Sequence, residues 1–263
     1  RQKRLLHSLK GHQGTVSSVS FSPDSKLIAS ASYDKTSKIW NTHNGHLLSS
    51  LEGHQDWVHS VSFSPDGKSL VYAAEVNNSW GIYETSIVRE DEPYFYASTL
   101  LKEKVIIQTD KEEFQPAYSP DGKEVAYLED RTTIKVVNLA SRKSRTVVPA
   151  KHNYSYADGD MWYQWSPDNK WFLFQFGQKE NIMQDEVGLT EASGKGEIRN
   201  LTQSGYFDFA PKWSSDGKMM TWVSTRQSGR MENGFPNQVD VFAMFFSKES
   251  YDTFNLSSAD YDL

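Results

Sequence analysis

One short turn motif is written five times along this chain. Ser22-Pro23-Asp24-Ser25-Lys26 returns as Ser64-Pro65-Asp66-Gly67-Lys68 and as Ser119-Pro120-Asp121-Gly122-Lys123. It returns again as Ser166-Pro167-Asp168-Asn169-Lys170 and, without its proline, as Ser214-Ser215-Asp216-Gly217-Lys218. The serines lie 42, 55, 47 and 48 residues apart. A period of this length marks a repeat architecture, in which each unit buries its faces against its neighbours. Repeats of this kind build binding surfaces far more often than active sites.

The motif has a local physical meaning. Proline presets φ at the second turn position, aspartate tolerates the third, and glycine or asparagine takes the left-handed position that closes the turn. An apolar or aromatic run precedes each copy, as in Val61-Ser62-Phe63 and Tyr163-Gln164-Trp165. A β-rich run follows, as in Leu70-Val71-Tyr72 and Trp171-Phe172-Leu173-Phe174. Each unit therefore reads as a hairpin set by its turn. Two further extended segments follow in most units, at residues 36–40 and 46–51 in the first and at 132–138 and 144–148 in the third. Four strands per unit, repeated radially, predict an all-β chain: a β-propeller of five four-stranded blades in one domain over residues 1–263. The last unit lacks an obvious fourth strand. Residues 3–9 form a spare strand before the first unit, expected to complete the fifth blade, or to dock on a second copy and give a strand-exchanged oligomer. Ser247 is the expected cap of a short helical tail over residues 247–263.

Composition narrows the function. The net charge is −6, and no basic stripe carries interleaved stacking aromatics, which argues against nucleic acid. There is no cysteine, so disulfides, thiol catalysis and thiolate metal sites are excluded. Apolar runs such as residues 241–246 are too short to span a bilayer as a helix. The chain starts at Arg1 without methionine or a signal sequence, as expected of a processed, trimmed or tagged product.

Two resemblances share the chain. Gly11-His12 and Gly53-His54 are 42 residues apart, and between them stand a Ser-rich strand, Asp34 and Lys38-Ile39-Trp40. Residues 1–67 resemble the WD-repeat family. The resemblance implies a structural hydrogen-bond network of His12, Ser32 (with Ser30 as the alternative), Asp34 and Trp40. That network accounts for the same residues as a Ser-His-Asp triad would, so no catalytic residue is expected. No turn aspartate or terminal tryptophan follows His54. From residue 68 onward the chain resembles the propeller region of bacterial tricorn-type serine peptidases. The carrying residues are Phe114-Gln115-Pro116-Ala117-Tyr118, residues 151–160, Asn200-Leu201-Thr202 and Ala210-Pro211-Lys212-Trp213. The tricorn-like part is expected over residues 68–246, with the seam near residues 64–74. Together the two imply a chimeric propeller, either recombined or engineered. The second resemblance also implies a bacterial source, with the cell envelope as one expectation. Its catalytic region is not among these residues, so the chain is expected to be a non-catalytic scaffold or interaction module. The alternatives are a peptide-recognising accessory propeller of a tricorn-type peptidase, and a propeller hydrolase or lyase with its site at the channel mouth.

Binding is expected on the loops entering the innermost strands. The candidate residues are Trp57, Arg131, Tyr154, Tyr156, Asp158, Asp160, Trp162, Tyr206, Asp208 and Arg226. Amphipathic rings beside carboxylates suit peptides or another protein. An alternative is that the rings pack between blades and the aspartates cap turns. Asp158-Gly159-Asp160 lacks further oxygen ligands at calcium-loop spacing, and no histidine pair has zinc spacing; neither metal nor cofactor is expected. Tyr94, Phe95 and Tyr96 lie in a connection over residues 88–103, longer than the repeat needs. They read either as an elaborated linker or as a partner patch.

Overall fold

The computed structural model describes residues 5–52, 54, 56–76, 78–89, 91–92, 94–98, 100–154, 161–177, 185–227 and 239–256. The chain divides into two compact units, Arg1–Thr146 with Ala157–Gly159, and Val147–Tyr156 with Asp160–Leu263. The first holds three meandering antiparallel sheets in which strands pair in chain order. They are β1 (Val16–Phe21), β2 (Leu27–Ser32), β3 (Ser37–Asn41) and β4 (Leu47–Leu51); β5 (Val58–Phe63), β6 (Ser69–Val76), β7 (Ser79–Ile87) and β8 (Leu101–Ile107); and β9 (Glu113–Tyr118), β10 (Glu124–Glu129), β11 (Thr133–Asn138) and β12 (Ser144–Val148). The second unit holds β13 (Tyr163–Trp165), β14 (Trp171–Phe176), β15 (Glu186–Glu191) and β16 (Arg199–Asn200), then β17 (Asp208–Trp213), β18 (Met219–Ser224) and β19 (Asp240–Phe245). The five sheets are propeller blades, as the repeat predicts. Helix α1 (Lys248–Phe254) follows, its first turn capped by the Ser247 hydroxyl accepting from the Ser250 amide.

All five repeated turns join the first two strands of a blade and share one hydrogen-bond pattern. In the first blade the Ser22 hydroxyl donates to Asp24 at 2.7 Å and accepts from the Leu27 amide at 2.9 Å. Ser64, Ser119, Ser166 and Ser214 repeat both bonds, with Asp66, Asp121, Asp168 and Asp216 and with the amides of Ser69, Glu124, Trp171 and Met219. The fourth turn residue is left-handed each time: Ser25, Gly67, Gly122, Asn169 and Gly217 have φ between 58° and 72°. A Cβ on Gly67 would meet Pro23 at 3.6 Å, and one on Gly122 would meet Pro65 at 3.4 Å. In the second unit a Cβ on Gly217 would likewise meet Pro167 at 3.5 Å. Within each unit, Pro23, Pro65 and Pro167 thus pack on the turn of the following blade, which couples local turn chemistry to blade stacking.

The cores lie between blades. Leu27, Ala29, Ala31 and Ile39 pack on Val58, Val61, Phe63, Leu70 and Tyr72. Val71, Ala73 and Ile82 pack on Tyr118, Val125, Tyr127 and Val137. In the second unit Leu173 and Val187 meet Met220 and Trp222. The second strands, buried on both faces, read as near-continuous apolar runs for that reason. The long connection before β8 contains a 3-10 turn at Phe95–Ala97. Phe95 is buried edge-on to Phe63, while Tyr94 and Tyr96 stack at 5.5 Å on the surface.

One expectation for the fold is corrected among the described residues. The fifth sheet has three strands, β17-β18-β19, and residues 5–10 form no strand. His7 is held by its side chain instead: the ring bonds the His43 carbonyl at 2.9 Å and lies against Gly45, in the turn between β3 and β4. Leu5 and Leu6 are exposed. Residues 1–4 lie outside the described set. The described tail ends at residue 256, with Tyr251 and Phe254 against Phe245 of β19.

Burial of the turn serine sets the expected effect of losing it. Ser166 is 2% exposed, while Ser214 is half-buried. Ser166→Ala removes a buried hydroxyl, leaves the Trp171 amide without its partner and is expected to cost about 1–2 kcal/mol. Ser214→Ala, at a half-buried hydroxyl, is expected to cost less than about 1 kcal/mol. Urea unfolding of both variants checks the order.

Candidate functional site

The network expected in the first blade forms with a different serine. Trp40 Nε1 donates to Ser30 Oγ at 2.8 Å. Ser30 Oγ lies 2.7 Å from His12 Nε2, and His12 Nδ1 lies 2.8 Å from Asp34 Oδ2. An indole can only donate, so the polarity runs one way in the neutral ring: Trp40 to Ser30, Ser30 to His12, His12 to Asp34. Ser32 is not in this chain; its hydroxyl accepts from the Asp34 amide at 3.1 Å and shapes the turn. Ser30 and Ser32 share one face of β2, so position along the strand decides between them: Ser30 pairs with Lys38, two residues from Trp40, while Ser32 has reached the turn. The order Ser-His-Asp matches that of a hydrolase triad, but Ser30 is 3% exposed and already receives the indole proton. No acyl carbon can approach it.

Asp34 anchors this network. Burial opposes its charge, but hydrogen bonds from the Thr36 hydroxyl, the Gln13 amide and His12 outweigh that and hold the carboxyl well below the usual carboxylate range. Trp40 fills the space above Gly11, where a Cβ would stand 3.1 Å from the ring.

The other candidates divide between the two units. In the first unit the ends of three blades where the innermost strands begin carry a continuous run of rings. Trp57 stacks on Tyr33 at 4.6 Å with 15° between planes. Tyr33 meets His59 at 4.9 Å, His59 meets Trp80 edge-on at 4.8 Å, and Trp80 meets Phe114 at 5.3 Å. The Arg131 guanidinium closes the run 5.7 Å above Phe114, 3.4 Å from Glu112. Trp57 is 47% exposed, Tyr33, Trp80 and Arg131 are half-buried, and His59 and Phe114 are buried. Sequence reasoning found Trp57 and Arg131 and missed the four rings between them. For His59 the cause is a bulge. The β5–β6 register shifts between Val58 and Ser60, leaving His59 as the extra residue turned toward the rings. Gln115 (φ 48°) marks the same irregularity in β9, next to Phe114. Simple alternation misplaces residues at such points.

In the second unit Asp208 is fully buried, not displayed, which corrects its place on the expected face. It accepts from the Ser204 hydroxyl at 2.6 Å, and Arg226 lies 3.6 Å away and 5.1 Å above Phe242. These two residues tie strand ends together. Trp162 packs near Phe209 at 5.9 Å and remains 41% exposed; Tyr206 and Tyr154 also reach the surface. Tyr156, Asp158 and Asp160 lie outside the described residues. Among the described residues no three His, Asp or Glu side chains are grouped to hold a metal, and no helix is long and apolar enough to cross a membrane.

Comparison with known proteins finds a family match near the amino end and a structural likeness over most of the chain. Residues 3–41 and 45–81 match the WD domain, G-beta repeat family model. A 38-residue stretch is 53% identical to Periodic tryptophan protein 2 of Saccharomyces cerevisiae, covering 14% of this chain and 4% of that protein. A 37-residue stretch is 54% identical to Ribosome assembly protein 4 of Chaetomium thermophilum, covering 14% of this chain and 7% of that protein. The chain thus spans only a small part of the curated relatives it matches. The structure is similar to TolB from Acinetobacter baumannii with a TM-score of 0.59 at 19% identity, over 90% of this chain and 53% of that one. At that identity the likeness speaks for the β-propeller fold alone.

The lowered Asp34 carboxyl fixes the sign of a pH effect. A folded-state value below the unfolded one gives stability that is present above about pH 4 and lost as pH falls through the folded value. Asp34→Asn is expected to cost about 1–3 kcal/mol at pH 7. The gap between wild type and variant should hold down to about pH 5 and shrink below pH 4. Thermal melts from pH 7 to pH 2 check it, because the turn aspartates titrate equally in both proteins.

Proposed function

We propose that the chain is a non-catalytic interaction scaffold that lays an extended peptide segment of a partner protein across the aromatic run of its first three blades. The observation carrying this reading is the unbroken sequence Trp57, Tyr33, His59, Trp80, Phe114 and Arg131, partly open to solvent on three successive blades. Rigid rings offer large contact area at little entropic cost, and tyrosine and tryptophan are enriched where proteins meet. Exposed ring faces and a net charge of −6 favour a peptide carrying lysine or arginine, through cation–π contact and long-range attraction. The buried Ser30 leaves the triad-like array of the first blade without access to substrate, which supports a binding role over a hydrolytic one.

The same proposal holds that the chain joins WD-type and tricorn-type blades. The family match ends at residue 81, and the hydrogen-bonded network built on His12 is not rebuilt around His54.

Selection of a random peptide display library on the immobilised chain tests the binding role. The expected result is enrichment of basic peptides whose binding falls at least tenfold with Trp57→Ala and weakens with salt. Failure to enrich any sequence, or enriched peptides indifferent to both Trp57→Ala and Tyr33→Ala, would contradict it.

A further inference from the structure

Blade 2 carries a hole where blade 1 carries a tryptophan. The register makes the comparison residue by residue. A shift of 42 residues takes His12, Ser30 and Asp34 to His54, Tyr72 and Val76. Trp40 pairs with Ile28 across the β2–β3 ladder, and the matching pair in blade 2 is Leu70 with Thr85. Thr85 therefore stands where Trp40 would, and a large ring is replaced by a hydroxyl and a methyl. All four of these blade 2 residues, His54, Tyr72, Val76 and Thr85, line one open cavity of about 550 Å3. That volume lies within the range of small-molecule sites.

Tyr72 only partly makes up for the lost indole. Its ring meets His54 edge-on at 4.9 Å, and its hydroxyl lies 3.1 Å from the Thr85 hydroxyl and donates to the Glu103 carboxylate. Leu51 and Leu101 add apolar wall, and Glu52 and Glu103 bring two carboxylates to the rim. Ser50 also lines the cavity, and its hydroxyl takes a hydrogen bond from the Lys38 ammonium at 2.8 Å, so that cation is already engaged at the wall. Burial lowers the His54 pKa against the opposing pull of Glu103, so the imidazole adds little positive charge near neutral pH. An apolar slot with a negative rim selects a flat ring carrying a cation.

We propose that this cavity is a binding site for a small aromatic amine, its ring seated in the space vacated by the indole and its ammonium on Glu103 and Glu52. The site lies between β4 of blade 1 and β6, β7 and β8 of blade 2, and shares no lining residue with the aromatic run proposed for peptides.

Calorimetric titration with three probes of one ring and different charge tests the assignment: tryptamine, neutral indole and 3-indolepropionate. Tryptamine is expected to saturate a single site at least tenfold more tightly than 3-indolepropionate, with indole between them. Thr85→Trp should abolish tryptamine binding by filling the slot. Glu103→Gln keeps an acceptor for Tyr72 and should weaken tryptamine at least fivefold while leaving indole unchanged; this arm remains decisive if Thr85→Trp does not fold. No saturable tryptamine binding by the unmodified chain, unchanged affinity in both variants, or equal binding of the three probes would overturn the proposal.

Discussion

The serine hydroxyl inside each turn is the contact on which this architecture rests. It spans a hairpin connection by accepting from the amide five residues on and donating to the aspartate two residues on. One small side chain thus satisfies a buried amide and orders the carboxylate that holds the next one. The left-handed fourth residue closes the turn, and Pro23, Pro65 and Pro167 pack on the following blade of their own unit. Interactions local in sequence therefore set the spacing of elements distant in sequence. The turns occupy one end of the strands. The opposite end, where innermost strands begin, is released from that duty and carries the rings and charges that differ from blade to blade.

Blades 1 and 2 show how little of a blade must change to alter its chemistry. Both keep the glycine–histidine pair, the turn and an apolar central strand. In blade 1 a tryptophan donor at the base orients a serine, a histidine and an aspartate in turn. In blade 2 a threonine replaces that tryptophan, a tyrosine takes the serine position, and a valine stands where the carboxylate would. The proton chain cannot form without its donor and its terminal acceptor. The histidine turns to an aromatic contact, and the unfilled volume opens to the outer face as a cavity. Stability in one blade and a ligand-sized space in the next arise from the same positions.

Much of the fold was legible from the chain because its signals are local. Proline, aspartate and glycine at fixed offsets need no tertiary context to specify a turn, and the runs beside them alternate or remain apolar as their burial demands. Three features were not legible. The bulges at His59 and Gln115 invert side-chain facing without a sequence mark. The choice of Ser30 over Ser32 depends on the β2–β3 register, which pairs Trp40 with Ile28 and leaves Ser30, two residues along the same face, within reach of the indole. The burial of Asp208 depends on Ser204 and Arg226, four and eighteen residues away. The spare strand at the amino end was overread: residues 5–9 have the composition of a strand, but His7 anchors them by a side-chain bond instead.

Backbone hydrogen exchange at the five amides that face the turn serines, those of Leu27, Ser69, Glu124, Trp171 and Met219, tests the central claim most directly. The expected result is that these amides exchange as slowly as the central strands β2, β6, β10, β14 and β18, opening only with unfolding of the blade. Exchange at the rate of the surrounding turn residues would show that the serine contacts open freely, and that the blades are held by their apolar interfaces alone.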